Sequence, residues 1–217
     1  MSGLFIDYRC TLFIEKLRYI DIKKEIAIKT PLFPINAILC PRGRIPLQIF
    51  EPRYLDMISH CLKTGTEFVA VLLREDNDDA NAFYRVGTLA KVVDFSRGTC
   101  DGLLAVTIEG LARVDLSLAV QQDDGLWLAD AVTLSEEEYV PLPERFIELR
   151  IVLEALVQHP FVHDLNMDID FYDGRQVGWR LTELLPMENR QKQQLFELKD
   201  PIQRLSELSD QITAMML

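Results

Sequence analysis

Hydrophobic and polar positions run in two different periods along this chain, and the change falls between residues 134 and 141. Before it, apolar residues come in short runs rich in β-branched and aromatic side chains. Glu67 to Leu73 is one such run, and Gly87 to Phe95, Leu103 to Glu109, Val114 to Val120 and Trp127 to Leu134 follow. Turn-forming residues stand at the joints: Gly98 with Asp101-Gly102, then Asp123-Asp124-Gly125. Many short strands joined in this way predict a closed or half-closed barrel.

After residue 141 the apolar positions recur at three- and four-residue steps. Phe146, Leu149, Leu153 and Leu156 predict an amphipathic helix over 143–158. A loop containing His159-Pro160 and residues 168–174 comes next. A second helix is expected from Gln176 to Leu185, stopped by Pro186, and a third from Glu188 to Leu198. Asp200-Pro201 reads as an N-cap followed by an N1 proline. Ile202, Leu205, Leu208 and Ile212 form the stripe of the fourth helix. The Glu136-Glu137-Glu138 run marks the seam between the two parts.

Residues 31–57 hold five prolines among two strand-like runs and a helix start. Proline fixes φ and removes a donor, which bars it from the middle of a central strand. Pro31, Pro34, Pro41 and Pro46 are therefore expected to bracket strands, one over Ile35 to Leu39 and one from Ile45 or Leu47 to Phe50. Glu51-Pro52 reads as N-cap and N1 of a helix that carries Tyr54, Met57, Ile58 and Cys61 on one face.

The strings P-L-F-P at 31–34 and L-Q-I-F-E-P-R-Y at 47–54 resemble the opening of the substrate-binding domain of Lon proteases. V-G-T-L-A at 86–90, D-G-L-L-A-V-T-I-E-G-L-A-R-V at 101–114, W-R-L-T-E-L-L-P at 179–186 and K-Q-Q-L-F-E-L-K-D-P-I-Q-R-L at 192–205 continue the match in order. Cys40 departs from the pattern, where an aromatic or aliphatic residue is expected. The resemblance runs from about Ile28 to the C-terminus. It implies an α+β fold: a PUA-like mixed β-barrel with an inserted helix over 28–133, followed by a C-terminal helical bundle over 134–217. Residues 1–27 fall outside it as an N-terminal extension.

Composition narrows the function classes. The net charge is −11, yet residues 1–60 hold nine Lys/Arg against six Asp/Glu, so the acidity belongs to the rest. An acidic body without a basic stripe argues against nucleic acid, whose affinity depends on neutralising phosphates. No apolar run approaches the about 18–20 residues that span a bilayer, which excludes a membrane span of that kind. The N-terminus mixes charges into its apolar residues and lacks a signal-peptide core. Cys10, Cys40, Cys61 and Cys100 are scattered, with no C-x-x-C pair. Reduced thiols and a cytoplasmic location are the expectation.

Catalytic patterns are sparse. A Lon protease needs G-x-x-x-x-G-K-[S/T] and a Ser–Lys module, and the glycines here never take that spacing. The expectation is a chain with no enzyme activity, no catalytic residues and no cofactor. His159 and His163 are four apart, but Pro160 between them disrupts the helix that a zinc pair would need. The acidic run at 75–79 lacks the glycine and closing glutamate of a calcium loop, so no metal is expected there. His60-Cys61 are neighbours in sequence only, pointing about 100° apart on a helix.

The resemblance implies a non-catalytic polypeptide-binding protein that engages unfolded or tagged segments. Phe33, Phe50, Glu51, Arg53, Tyr54 and Met57 are the candidate peptide-binding residues, with Arg53 gripping a carbonyl or carboxylate. Their structural reading makes Glu51 a cap, Arg53 an ion-pair partner and Tyr54 a packing residue. An apolar groove between the two parts, or strand addition to an open edge, would supply the binding. Two rivals stand beside it: a regulatory or scaffold protein docking on a protease or chaperone complex such as Lon itself, and a small hydrolase or peptidase.

Overall fold

The computed structural model describes residues 29–74, 83–97 and 103–215. The N-terminal extension, the acidic run at 75–79 and the turn at 98–102 lie outside the described residues. Six strands form one mixed sheet: β1 (Lys29–Ile35), β2 (Arg44–Ile49), β3 (Phe68–Leu72), β4 (Val86–Arg97), β5 (Leu104–Gln121) and β6 (Trp127–Thr133). Their order is β2-β5-β4-β3-β1-β6, and β5 also pairs with β6, so the pairings return to a strand already used. Only the β1–β3 pairing is parallel among these ladders.

Proline placement differs from the expectation. Pro31 and Pro34 lie inside β1, and Ile35 ends that strand rather than starting one. The reason is a change of partner along β1. Residues 29–32 pair with β6 and residues 32–35 with β3, so one side of the strand is open at each proline. Pro46 lies inside β2, which among the described residues is the outermost strand and pairs with β5 alone. Each proline thus occupies a place where no ladder donor is required.

The two strands expected over 103–120 are one, and Gly110 lies within it. Gly110 marks a close approach: a Cβ there would collide with the carbonyl oxygen of Cys40. β5 is long enough to change neighbours, with Arg44 to Ile49 of β2 opposite its first half and β6 opposite its second. The β5–β6 turn is built as its residues predict. Gly125 has φ 84, and the Leu126 N–H donates to Asp124 Oδ1 at 2.8 Å.

Helix α1 (Pro52–Thr64) buries Tyr54, Met57, Ile58 and Cys61, the expected face. It ends at left-handed Gly65, whose N–H donates to the Cys61 carbonyl. These side chains meet Phe33, Phe68, Ile108 and Leu126 in one core, each fully buried side chain contributing about 1.5–3 kcal/mol. Strand β3 is buried on both faces: Phe68 and Ala70 enter this core, while Val69 and Val71 enter a second with Leu32, Val114 and Leu116.

The helical part follows a short 3-10 turn, Glu144–Phe146, with α2 (Ile147–Val157), α3 (Pro160–His163), α4 (Gly174–Leu184), α5 (Asn189–Glu197) and α6 (Pro201–Met215). Pro160 starts α3 rather than merely interrupting a loop, with His159 as its N-cap. Asp173 caps α4, Glu188 and Gln191 form a capping box on α5, and Asp200 Oδ1 accepts the Ile202 N–H at the start of α6. Phe146, Leu149, Leu153, Val177, Leu181, Leu205 and Leu208 share one core. Trp179 and Phe196 reach the sheet, where they pack with Ile38, Cys40 and Leu72.

Candidate functional site

The outer end of the sheet carries a cleft of about 390 Å3 between β2, β4, β5 and α3. Leu47 of β2 stands opposite Val106 of β5, and Val106 stands opposite Phe95 of β4, forming one row across three strands. Phe161 on α3 also lines the cleft. Phe95 and Phe161 are 59% and 61% exposed, and Phe50, at the end of β2, is 68% exposed. Large aromatic side chains left in water are informative, because folding normally removes such area from solvent.

One edge of this cleft is β2 itself. Among the described residues no second strand pairs with it, and Pro46 leaves a gap in its donors. Its beginning is fastened: Arg44 Nη1 donates to the Leu165 and Asn166 carbonyls at 3.2 and 2.8 Å, and Arg44 pairs with Glu109 at 2.8 Å. An extended segment laid along residues 45–49 would find backbone carbonyls and amides as well as an apolar wall.

The sequence candidates divide sharply. Phe33, Tyr54 and Met57 are buried, and Phe33 packs against Tyr54 and Phe68 with ring centroids 4.8 and 6.0 Å apart. They are core residues and offer no surface to a peptide, which corrects the expectation that they line one. Glu51 sits at the N-cap without a side-chain cap bond. Its carboxylate instead meets Arg53 Nη2 at 2.6 Å. Arg53 does grip a carbonyl, but one of its own chain: Nη1 donates to Gly125 O at 2.8 Å while the guanidinium lies 4.7 Å from the Tyr54 ring centre. Both are committed to fastening the β5–β6 turn onto α1. Phe50 alone keeps an exposed apolar surface among the six, and it directly follows β2 in sequence.

Phe95 and Phe161 escaped the sequence reading because nothing in a strand or a four-residue helix foretells which aromatic stays outside. The ion pairs at the seam between sheet and helices, placed by the Glu136-Glu137-Glu138 run, were equally hidden. Glu137 accepts from Arg113 Nη2 at 2.9 Å and from Arg204 Nη2 at 2.6 Å, and Arg204 is completely buried. The Arg204 guanidinium lies 3.4 Å from the Trp179 ring centre. One signal was available: Arg204 is four residues before Leu208 and so shares its buried face. Nearby, Glu183 of α4 accepts the Cys40 N–H at 2.6 Å and pairs with Arg180 at 3.1 Å. Burial pushes its carboxyl up to about 7, against the opposing pull of Arg180, the Cys40 N–H and Lys192. Burial likewise raises the Cys40 thiol, with Glu183 adding to the effect.

No group of three or more His, Cys, Asp or Glu side chains among the described residues is placed to hold a metal. His159 and His163 are exposed at the two ends of α3, and His60 is exposed while Cys61 is buried. Among the described residues no helix is long and apolar enough to cross a membrane.

Residues 29–214 match the family profile of the ATP-dependent protease La (LON) substrate-binding domain. The chain belongs to that family. A Lon N-terminal domain protein from Xanthomonas campestris has a crystal structure similar to this one, with TM-score 0.69 and 29% identity over 84% of this chain and 97% of that chain. The N-terminal domain of a Mycobacterium avium complex Lon protease shares the fold at TM-score 0.61 and 17% identity, over 84% and 96% of the two chains. Among curated relatives, a Lon protease from Endomicrobium trichonymphae is 21% identical over 188 residues. That match takes in 82% of this chain and 23% of the relative, so the chain spans about a quarter of the protease it resembles. Family membership supports a role in substrate recognition.

Proposed function

We propose that this Lon substrate-binding-domain protein binds unfolded or tagged polypeptide segments without catalysing their cleavage, and that the cleft at β2 receives them. The observation that carries the reading is that Phe95 and Phe161, both exposed, line one cleft beside the unpaired edge of β2. An extended segment gains main-chain hydrogen bonds from such an edge and side-chain burial from the aromatic walls, a combination that tolerates varied sequences. The returning strand pairings are read as a PUA-like barrel, and the helices as a bundle docked on it. Buried, unpaired Cys40 and Cys61 fit a reducing compartment, and the cytoplasm is part of the reading. The net charge of −11 supports polypeptide over nucleic acid.

Fluorescence anisotropy with a permanently unfolded, alkylated probe protein tests the idea. Saturable binding is expected, falling about tenfold or more in a Phe95→Ala/Phe161→Ala double variant. Amide exchange at residues 45–49 should slow in the complex if the segment pairs with β2. Absence of saturable binding up to about 1 mM would sink the proposal.

A further inference from the structure

A second cavity, of about 250 Å3, opens where the helices meet the sheet, and it shares no residue with the cleft at β2. Leu111, Leu134 and Trp179 make its apolar wall, while Arg42, Arg175 and Gln176 bring polar groups to it. Most of the charge around it is already committed. Arg113 donates to Glu137 and to the Phe196 and Leu198 carbonyls, and Arg175 holds Asp173 and the Glu137 carbonyl.

Arg42 is different. Its backbone is left-handed, with φ 61, a conformation that persists in a non-glycine residue only where the surroundings over-determine it. Here they do. The Arg42 N–H donates to Gly110 O at 2.7 Å, the Gly43 N–H to Cys40 O at 2.9 Å, and Arg180 Nη2 to Pro41 O at 2.8 Å. Glu183 holds the Cys40 N–H behind them. The turn is thus locked on both sides, and the Arg42 side chain is exposed with no acceptor among the described residues. Gln176 is half used: its Oε1 accepts the Asp170 N–H at 3.1 Å, which leaves its amide hydrogens uncommitted.

We propose that this cavity binds a carboxylate carried on a compact apolar group. The carboxylate sits on Arg42 and Gln176, and the apolar group lies against Trp179, Leu111 and Leu134. One uncommitted cation matches one negative charge, and exposed Glu136 on the rim disfavours a dianion such as a phosphate monoester. The volume lies below the about 300–1,000 Å3 of pockets for drug-sized ligands, so the ligand is the size of one residue or a short-chain acid. That chemistry has two sources, the end of a polypeptide chain and a free acid.

Calorimetric titration of the whole chain separates them with three probes: an acetylated tripeptide ending in leucine, its C-terminal amide, and 4-methylpentanoate. The free-carboxylate peptide is expected to bind at least about tenfold more tightly than the amide. A peptide tighter than 4-methylpentanoate assigns the site to chain ends, and equal affinities assign it to free acids. Arg42→Gly removes the guanidinium and relieves the left-handed backbone, so it should melt at or above the parent's temperature while losing about tenfold in affinity. Phe95→Ala should leave this binding unchanged, which keeps the result separate from the cleft at β2. Equal affinity of acid and amide, full affinity in Arg42→Gly, or no saturable binding of either acid up to about 10 mM overturns the proposal.

Discussion

The seam between sheet and helices and the cleft at β2 invert the usual distribution of side chains. The seam buries charge: Arg113, Glu137, Arg180, Glu183 and Arg204 sit among Trp179, Cys40 and Phe196. The cleft exposes aromatic area at Phe95 and Phe161. Buried ions are stable only when every partner is present, so the seam specifies one relative placement of the two parts rather than adding net stability. Exposed aromatics contribute little to the fold, and their benefit appears only when something covers them. One region is therefore built for position, and we propose the other for contact.

The contrast breaks most visibly at Glu137. Glu137→Ala leaves Arg113 and Arg204 buried without a counter-charge, and denaturant unfolding should report a loss of about 3–5 kcal/mol. Next comes pH. The Glu183 carboxyl is raised from 4.5 to about 7, so the folded state holds its proton more tightly than the unfolded state does. Its contribution is full below about pH 4.5 and is lost as pH rises through about 7, on the order of 3 kcal/mol in all. Stability curves of the parent and Glu183→Gln should therefore diverge between those limits. Parallel curves would remove Glu183 from the account.

A smaller effect is expected at Gly110, where Gly110→Ala drives a methyl group into the Cys40 carbonyl. A loss of about 1–3 kcal/mol in thermal or chemical unfolding is the expected result. The smallest effect on stability belongs to the cleft: Phe95→Ala with Phe161→Ala should stay within about 0.5 kcal/mol of the parent while weakening capture of unfolded chains. A large stability loss in that double variant would mean that the aromatics serve the fold, and the contrast between the two regions would fail.

Local elements were largely legible. The α1 face of Tyr54, Met57, Ile58 and Cys61 follows from spacing, and Gly125, Asp200 and Pro201 mark their turn and cap by residue chemistry. Long-range roles were not. Pro31 and Pro34 looked like strand ends because a strand that changes partner midway cannot be seen in its own residues. The close approach at Gly110 was invisible because the Cys40 carbonyl that demands a glycine there lies seventy residues earlier. Of the site candidates, Phe33, Tyr54 and Met57 shared the apolar character of a groove, and only packing distinguished core from surface.

By itself the sequence determined the α+β composition, the order of most elements, the caps and turns, and the family. These depend on periodicity and on residues acting within about four positions of one another. Tertiary structure alone decided that Arg204 is buried on Glu137, that Arg53 is consumed by Gly125, and that Phe95 and Phe161 line one cleft. Burial and pairing are properties of residues brought together from distant positions, and local spacing carries no information about which of them will meet.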